Sequence, residues 1–391
     1  MREIAVKGGV PREIAVVEDG RLVEYLRDDH ADSAAETIYL GLVDRVVPGM
    51  KAAFVDIGQE RRGFLPLGEK SDTAPQQKLQ CGMRIPVQVK REAHDQKGAF
   101  LTRDVTLCGQ YVILMPMNRY VGISAKVEDA QARRRLQQIG EALTSGAFGL
   151  VMRTAAAQAT EEEIAGETAA LQDTWRQIAS DAAVAHAPSV IWRGGSLLDG
   201  VLRDYGPRGI DRAVTDDAAC AEAFLGVCPV VMTEPGFMER AGLAAQRDKA
   251  LERFVWLRSG GSLVIDQCEA MTVIDVNTGK FTGKRLVEET IRQLNLEACA
   301  EIARQTRLRN LGGVIVIDFI DMEEEVDRVA VREALAAAFQ QDRVKTVIHG
   351  FTALGLMEMT RKRSRRALRD EWTAPCRACG GLGRIKEERH G

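Results

Sequence analysis

The chain has 391 residues, 45% of them hydrophobic and 5% aromatic, with 53 Lys and Arg against 56 Asp and Glu for a formal net charge of −3. That apolar content supports a full core and roughly two to four domains. The near balance of charge excludes a globally basic nucleic-acid binder, so any such affinity has to come from local patches.

Residues 1 to 35 contain one short hairpin, Glu13 to Val17 and Arg21 to Tyr25, about the turn Glu18-Asp19-Gly20. Two strands that short need another sheet to pack on. From Thr37 to about Val105 five short strands follow: Ile38 to Val43, Ala52 to Asp56, Arg62 to Leu65, Ile85 to Val89 and Ala99 to Thr102. Their spacing and glycine turns predict a small antiparallel barrel, and five is the OB-fold number. Phe54 and Phe64 fall on neighbouring strands, with Arg61, Arg62, Lys90, Arg91 and Lys97 nearby. Ring faces among cations suit single-stranded RNA, one surface for stacking and one for phosphate. Core packing is the competing reading of two strand phenylalanines.

Residues 108 to about 195 combine a strand, Tyr111 to Met115, with helices at Val127 to Leu143 and Glu161 to Ala179. Between the helices a strand from Gly149 ends on Arg153 and Thr154. A guanidinium beside a hydroxyl can hold a phosphate; a plain surface pair is the alternative. The stretch from about 196 to 250 is mixed α/β without evident chemistry.

Ser262 to Asp266 and Met271 to Asn277 read as a hairpin turned at Gln267 to Ala270. Asp275 and Asn277 stand two apart on one strand and so project from the same face. A helix from about Leu286 to Leu308, carrying Glu288 and Glu289 and stopped by Gly312-Gly313, returns the chain to Val314 to Asp318. A strand-helix-strand crossover sets its strand ends side by side, which brings Asp275 and Asp318 to one sheet edge. Charge at the end of an apolar strand is expensive to bury without a compensating cation. Two carboxylates and a carboxamide suffice for a magnesium ion that keeps its waters and meets a phosphate. Turn capping or pairing with arginines is the structural alternative.

Met359 to Arg366 concentrates five cations in eight residues, which reads as a solvated helix face or a grip on an RNA backbone. Cys376 and Cys379 form a C-x-x-C followed by Gly380, Gly381 and Gly383, a spacing that supplies two of the four ligands tetrahedral zinc needs. Cys268 and Cys299 read as core residues, and a second chain donating the same pair would complete the site. The remaining cysteines are dispersed, no secretory or membrane-spanning segment is evident, and a reducing cytoplasm is the expected location.

Several stretches together resemble the ribonuclease E/G family: Ile274 to Gly279, Arg307 to Gly313, Val316 to Met322 and Glu358 to Arg363, with Ala52 to Gly58, Arg62 to Pro66 and Arg153-Thr154 upstream. The resemblance implies a magnesium-dependent endoribonuclease that cuts single-stranded RNA, is stimulated by a 5′-monophosphate, and serves rRNA maturation or mRNA turnover. Asp275 and Asp318 would be the magnesium ligands, with Asn277 orienting Asp275 or the scissile phosphate. Phe54, Phe64 and Lys97 would hold RNA on an OB fold of the ribosomal-protein-S-one type. Arg153 and Thr154 would bind the 5′-phosphate, and Cys376 and Cys379 would ligate structural zinc.

The implied fold is α/β and multidomain. An RNase H-like subdomain, residues 1–35 and 196–250, would be interrupted by the OB fold (36–107) and a 5′-sensor region (108–195), then followed by a DNase I-like catalytic subdomain (251–368) and a zinc-link segment (369–391). Arg377 stands where the family's knuckle commonly has proline, which keeps both thiolates but softens the turn. The sequence stops about a dozen residues after Cys379, so a zinc-linked homodimer is expected rather than a tetramer, and degradosome partners are not indicated. The competing expectation is an RNA-binding protein of the same fold that does not cleave.

Overall fold

The computed structural model describes residues 1–28, 36–67, 78–93, 98–206, 209–279, 287–363, 365–381 and 383. Lys97, Leu286 and Ser364 lie outside them, as does the side chain of Glu288. The chain divides into two compact units, Met1–Asp29 with Ile210–Gly391, and His30–Gly209. Among the described residues no helix is long and apolar enough to cross a membrane.

In the first unit the early hairpin finds its sheet. Arg2–Lys7, which the sequence pattern did not mark as a strand, pairs antiparallel with Arg12–Glu18, and that strand pairs with Arg21–Asp28. Ile4, Ala5 and Val6 are all fully buried; a strand covered on both faces has no alternation to read. On its other side Arg212–Thr215 and then Val230–Met232 add in parallel, completing five strands. A second sheet of six runs in the order Phe254–Trp256, Ser262–Gln267, Met271–Asn277, Gly313–Asp318, Met357–Arg361, Thr346–Phe351. Helices Val287–Leu308 and Glu325–Phe339 cover one of its faces, through Leu294, Ala298, Ile302, Val331 and Leu335 against Ile265, Ile274, Ile315 and Ile317.

Two sequence expectations change here. The long helix is terminated by Asn310, whose φ of 48° is left-handed and which precedes a Leu311 N–H to Thr306 carbonyl bond of 3.0 Å; asparagine tolerates that conformation well enough to end a helix before the glycines do. The cationic run from Met359 is not a helix face. It begins as the strand Met357–Arg361, and Arg361 is 2% exposed against an Asp342 at 0%, 2.7 Å away.

In the second unit Ile38–Val47, Ala52–Asp56, Gly63–Pro66, Phe100–Thr102 and Arg84–Arg91 form a closed barrel, because the first strand pairs with both the second and the last. Val43, Val55, Leu65, Val87, Val89 and Leu101 fill it. The barrel is not wholly antiparallel, since the Gly63 and Phe100 strands meet in parallel, and Ser189–Trp192 adds a sixth strand outside the closure. A four-stranded sheet, Val121–Ile123, Gly149–Met152, Val112–Met115 and Leu107–Cys108, packs against helices Ala130–Thr144 and Glu161–Val184. Helix Leu197–Tyr205 belongs to this unit and is closed by a Ser196/Asp199 capping box. The whole is a mixed α/β protein with an OB-like five-stranded barrel.

Candidate active site

The crossover strands Met271–Asn277 and Gly313–Asp318 pair in parallel, with Asp275 directly opposite Asp318. Alternation decides where the side chains go: Ile274, Val276, Ile315 and Ile317 point into the helix-covered core, so Asp275, Asn277 and Asp318 lie on the open face. Asn277 Nδ2 donates to Asp275 Oδ2 at 2.7 Å. The carboxylates are less buried than their strand context suggested, Asp318 being exposed and Asp275 half-buried. Burial cost alone therefore does not call for a cation; the crowding of like charge does. Partial desolvation, then the negative charges of Asp275 and Asp321, hold the Asp318 carboxyl above its ordinary range. Among the described residues neither Asp275 nor Asp318 forms an ion pair, so arginine pairing does not account for them.

The donor set fits a hard divalent cation: two carboxylates and a carboxamide oxygen, like-charged, open to solvent, with room for retained waters and a phosphate. Among the described residues no group of three or more His, Cys, Asp or Glu is placed to hold a metal ion, so the protein's donors at this site would be the two carboxylates and the carboxamide alone.

In the barrel Phe54 and Phe64 are cross-strand neighbours, 6.0 Å apart edge-to-face, and both are half exposed while Ala53, Val55 and Leu65 fill the interior. They lie on the opposite side of their strands from the packed interior. Phe100 extends them into a row, 5.8 Å from Phe64, and guanidiniums lie over two of the rings: Arg45 at 5.2 Å from Phe54 and Arg91 at 4.4 Å from Phe100. Phe100 was passed over in the sequence because it stands far from the other two; the signal available was a third phenylalanine on a predicted barrel strand.

The strand before Arg153 stops at Met152, and Arg153 in extended conformation caps a short 3-10 turn, Thr154–Ala157. Its guanidinium is already engaged: Nη1 donates to the carbonyls of Gly109 at 2.6 Å and Gln110 at 3.3 Å, and Nη2 to Asp204 at 2.7 Å. Glu167 fixes that loop by accepting from the N–H groups of Gln110, Tyr111 and Val112 at 2.5 to 2.9 Å. Of the five guanidinium N–H donors, the Nε–H and one Nη2–H have no partner among the described residues. Thr154 is exposed, its hydroxyl 3.1 Å from that of Ser124.

A sequence profile of the Ribonuclease E/G family matches residues 106–364. Ribonuclease G of Escherichia coli is 36% identical over 97% of this chain and 81% of its own length. Ribonuclease G of Haemophilus influenzae is 37% identical over 95% of this chain and 82% of its own. Ribonuclease E of a Nostoc strain is 35% identical over 96% of this chain and 59% of its own. The chain belongs to the ribonuclease E/G family. It is an endoribonuclease of that type, acting in RNA processing.

A residue that sequence reading missed holds the backbone beyond Asp318. Asn295, fully buried on the long helix, donates to the carbonyl of Ile320 at 2.9 Å and accepts from its N–H at 3.2 Å, clamping the backbone just beyond Asp318. The available signal was a carboxamide on the apolar stripe of Ile291, Leu294, Ala298 and Ile302; a buried amide there needs partners.

The C-x-x-C lies on a turn that follows the helix Leu368–Trp372. Leu368 is buried, and Trp372 sits against the guanidiniums of Arg247 at 3.9 Å and Arg27 at 4.9 Å. Gly380 and Gly381 take φ of 58° and 92°, which bends the chain back so that Gly383 N–H reaches Cys379 Sγ at 3.3 Å. The backbone N–H of Cys379, then that of Ala378, hold the Cys376 thiol below its ordinary range. Such donors stabilise thiolate, the form that ligates zinc. Cys299 is core, its thiol pushed up to about 12 by burial. Cys268, expected in the core, is exposed, because it occupies the hairpin turn after Gln267.

Proposed function

We propose that the enzyme is a magnesium-dependent, single-strand-specific endoribonuclease whose catalytic centre is Asp275, Asp318 and Asn277. The in-register pairing of Asp275 with Asp318 on an open sheet face carries this reading. Asp275 and Asp318 would hold the ion, and Asn277 keeps Asp275 turned toward it by its hydrogen bond. Magnesium bound there supplies Lewis acidity and an acidified water. The chain's own contribution is position: a rigid sheet edge presents fixed oxygens, and Asn295 fixes the turn that follows. Hydrolysis by in-line attack at phosphorus leaves a 5′-phosphate on the downstream product. The test is cleavage of a 5′-monophosphorylated single-stranded oligonucleotide with and without magnesium. Equal rates under both conditions would falsify the metal-dependent reading.

The five-stranded order of the first sheet, three antiparallel strands followed by two parallel, supports an RNase H-like subdomain. The six-stranded sheet with its two helices supports the DNase I-like assignment. The ring row at Phe54, Phe64 and Phe100 with its arginines supports RNA held on the barrel by stacking and charge. Lys97, expected to take part, lies outside the described residues.

Arg153 and Thr154 form the 5′-phosphate site in this reading, the free Nε and Nη2 donors supplying the fork and Thr154 a further hydrogen bond. Arg153→Ala would also remove one of the ion partners of Asp204, so Thr154→Val is the cleaner probe. It should lower the preference for monophosphorylated over hydroxyl-ended RNA about tenfold, the loss of one charge-assisted hydrogen bond. Equal loss on both substrates would make the pair structural.

Cys376 and Cys379 ligate zinc shared by two chains in a cytoplasmic homodimer. Cys376→Ser is then expected to turn the dimer into a monomer in light scattering, as chelation should, and metal analysis should find one zinc for every two chains. A dimer indifferent to both treatments rules the shared site out.

A further inference from the structure

The edge strand Phe254–Trp256 puts two large aromatic side chains on the open face of the catalytic sheet, Phe254 at 54% and Trp256 at 66% exposure, while Val255 between them is buried. The register aligns them with the carboxylates. Phe254 opposes Val264, Val264 opposes Asp275, and Asp275 opposes Asp318; in the next row Trp256 opposes Ser262, and Ser262 opposes Asn277. Directly opposed residues project from the same face, so Phe254 stands two strand spacings, roughly 10 Å, from Asp275.

The strand is held firmly. Arg253 before it pairs with Asp266 through two contacts of 2.6 Å. The turn after it is closed by Leu257 N–H to the Gly261 carbonyl at 2.8 Å, and Glu297 accepts from Arg258 N–H at 2.7 Å. A Cβ at Gly261 would come within 2.9 Å of the Asn277 carbonyl, so the turn also depends on glycine for its approach to the Asn277 strand. Edge strands are normally guarded by charge against pairing with other chains. Two exposed aromatic side chains on the same face and in register with the carboxylates make this edge a candidate binding surface.

A cation held by the carboxylates at one end of the row would meet a nucleotide's phosphate, and the aromatic faces at the other end its base. Resting on Asp275 and Asp318 as the catalytic centre, we infer that Phe254 and Trp256 stack the bases flanking the scissile phosphate and set where along a single strand the cut falls. Stacking of this kind accepts any base but requires it unpaired. The platform therefore selects single strands at the point of cleavage itself, separately from the ring row on the barrel.

The test compares the full-length parent with Trp256→Ala, Trp256→Phe and Phe254→Ala. The substrates are a 5′-monophosphorylated RNA oligonucleotide and the same oligonucleotide with an abasic ribose beside the cut. Trp256→Ala should raise KM on intact RNA about tenfold, the loss falling on KM rather than kcat, with Trp256→Phe recovering most of it. The abasic change should weaken the parent and add little to Trp256→Ala. Without added magnesium, the oligonucleotide should quench the parent's tryptophan emission, and the quench should shrink in Trp256→Phe. An unchanged KM, or equal losses on intact and abasic RNA, overturns the platform. So does a drop in the mass of Trp256→Ala at constant KM, which would make the strand an interface between copies of the chain. Asp318→Asn separates this inference from the reading beneath it: loss of cleavage with the quench retained supports both, and cleavage at the parent's rate removes the catalytic centre whatever the fluorescence shows.

Discussion

Asp318→Asn is expected to slow cleavage of single-stranded RNA by about a thousandfold and, without divalent cations, to melt no lower than the parent. The activity loss follows from removing one of two carboxylates that would hold the ion. The stability result follows from the raised pKa of Asp318. A carboxyl that holds its proton more tightly in the folded than in the unfolded state makes stability fall as pH rises from the ordinary carboxylate range through the raised value. Above that value the ionised group is a standing burden on the fold, and asparagine removes it. Added magnesium should raise the parent's melting temperature and leave that of Asp318→Asn nearly unmoved. Calorimetry of both proteins, with and without magnesium, checks this apart from activity. A variant that melts well below the parent without metal would mean that Asp318 is a structural turn residue. Asp275→Asn should lose activity similarly, while its amide oxygen can still accept from Asn277 Nδ2.

Arg361→Ala should destabilise the unit that holds the six-stranded sheet by about 3–5 kcal/mol. Its guanidinium donates to both oxygens of Asp342, at 2.7 and 3.2 Å, to Asn310 Oδ1 at 3.1 Å and to the Leu311 carbonyl at 2.9 Å. Truncation takes the guanidinium from a fully buried carboxylate that keeps the Val344 N–H as a donor at 2.9 Å, and it frees the turn that feeds the Asp318 strand. Urea denaturation should show the loss as a lower midpoint, and RNA cleavage should fall with it. Replacing the pair together, Arg361→Met with Asp342→Leu, should recover much of the stability because no charge is left unpaired. If the double variant is as unstable as the single ones combined, the pair is not what holds the turn.

The same arginine shows how far the sequence reads. Five cations in eight residues resembled a surface for RNA, and composition could say no more; only the packing of Met357–Arg361 beside the long helix's end makes Arg361 a buried structural ion. Cys268 was misplaced for a related reason, since its apolar neighbours belong to strands while it sits in their turn. Which side of the barrel strands Phe54 and Phe64 occupy was likewise not readable until closure showed Ala53, Val55 and Leu65 to be interior.

By itself the sequence determined what depends on local period and chain direction. Asp275 and Asn277 share a face because strand side chains alternate, and Asp275 meets Asp318 because a parallel crossover brings its strand ends together. The tertiary structure decided what depends on which distant surfaces cover which. It set the exposure of Asp318, the Asn295 clamp on Ile320, the occupied guanidinium of Arg153, and the alignment of Phe254 and Trp256 with the carboxylates. Each of these rests on register and packing between segments far apart in the chain. Periodicity reports the face a residue takes within its own element, and carries no record of the element that lies against it.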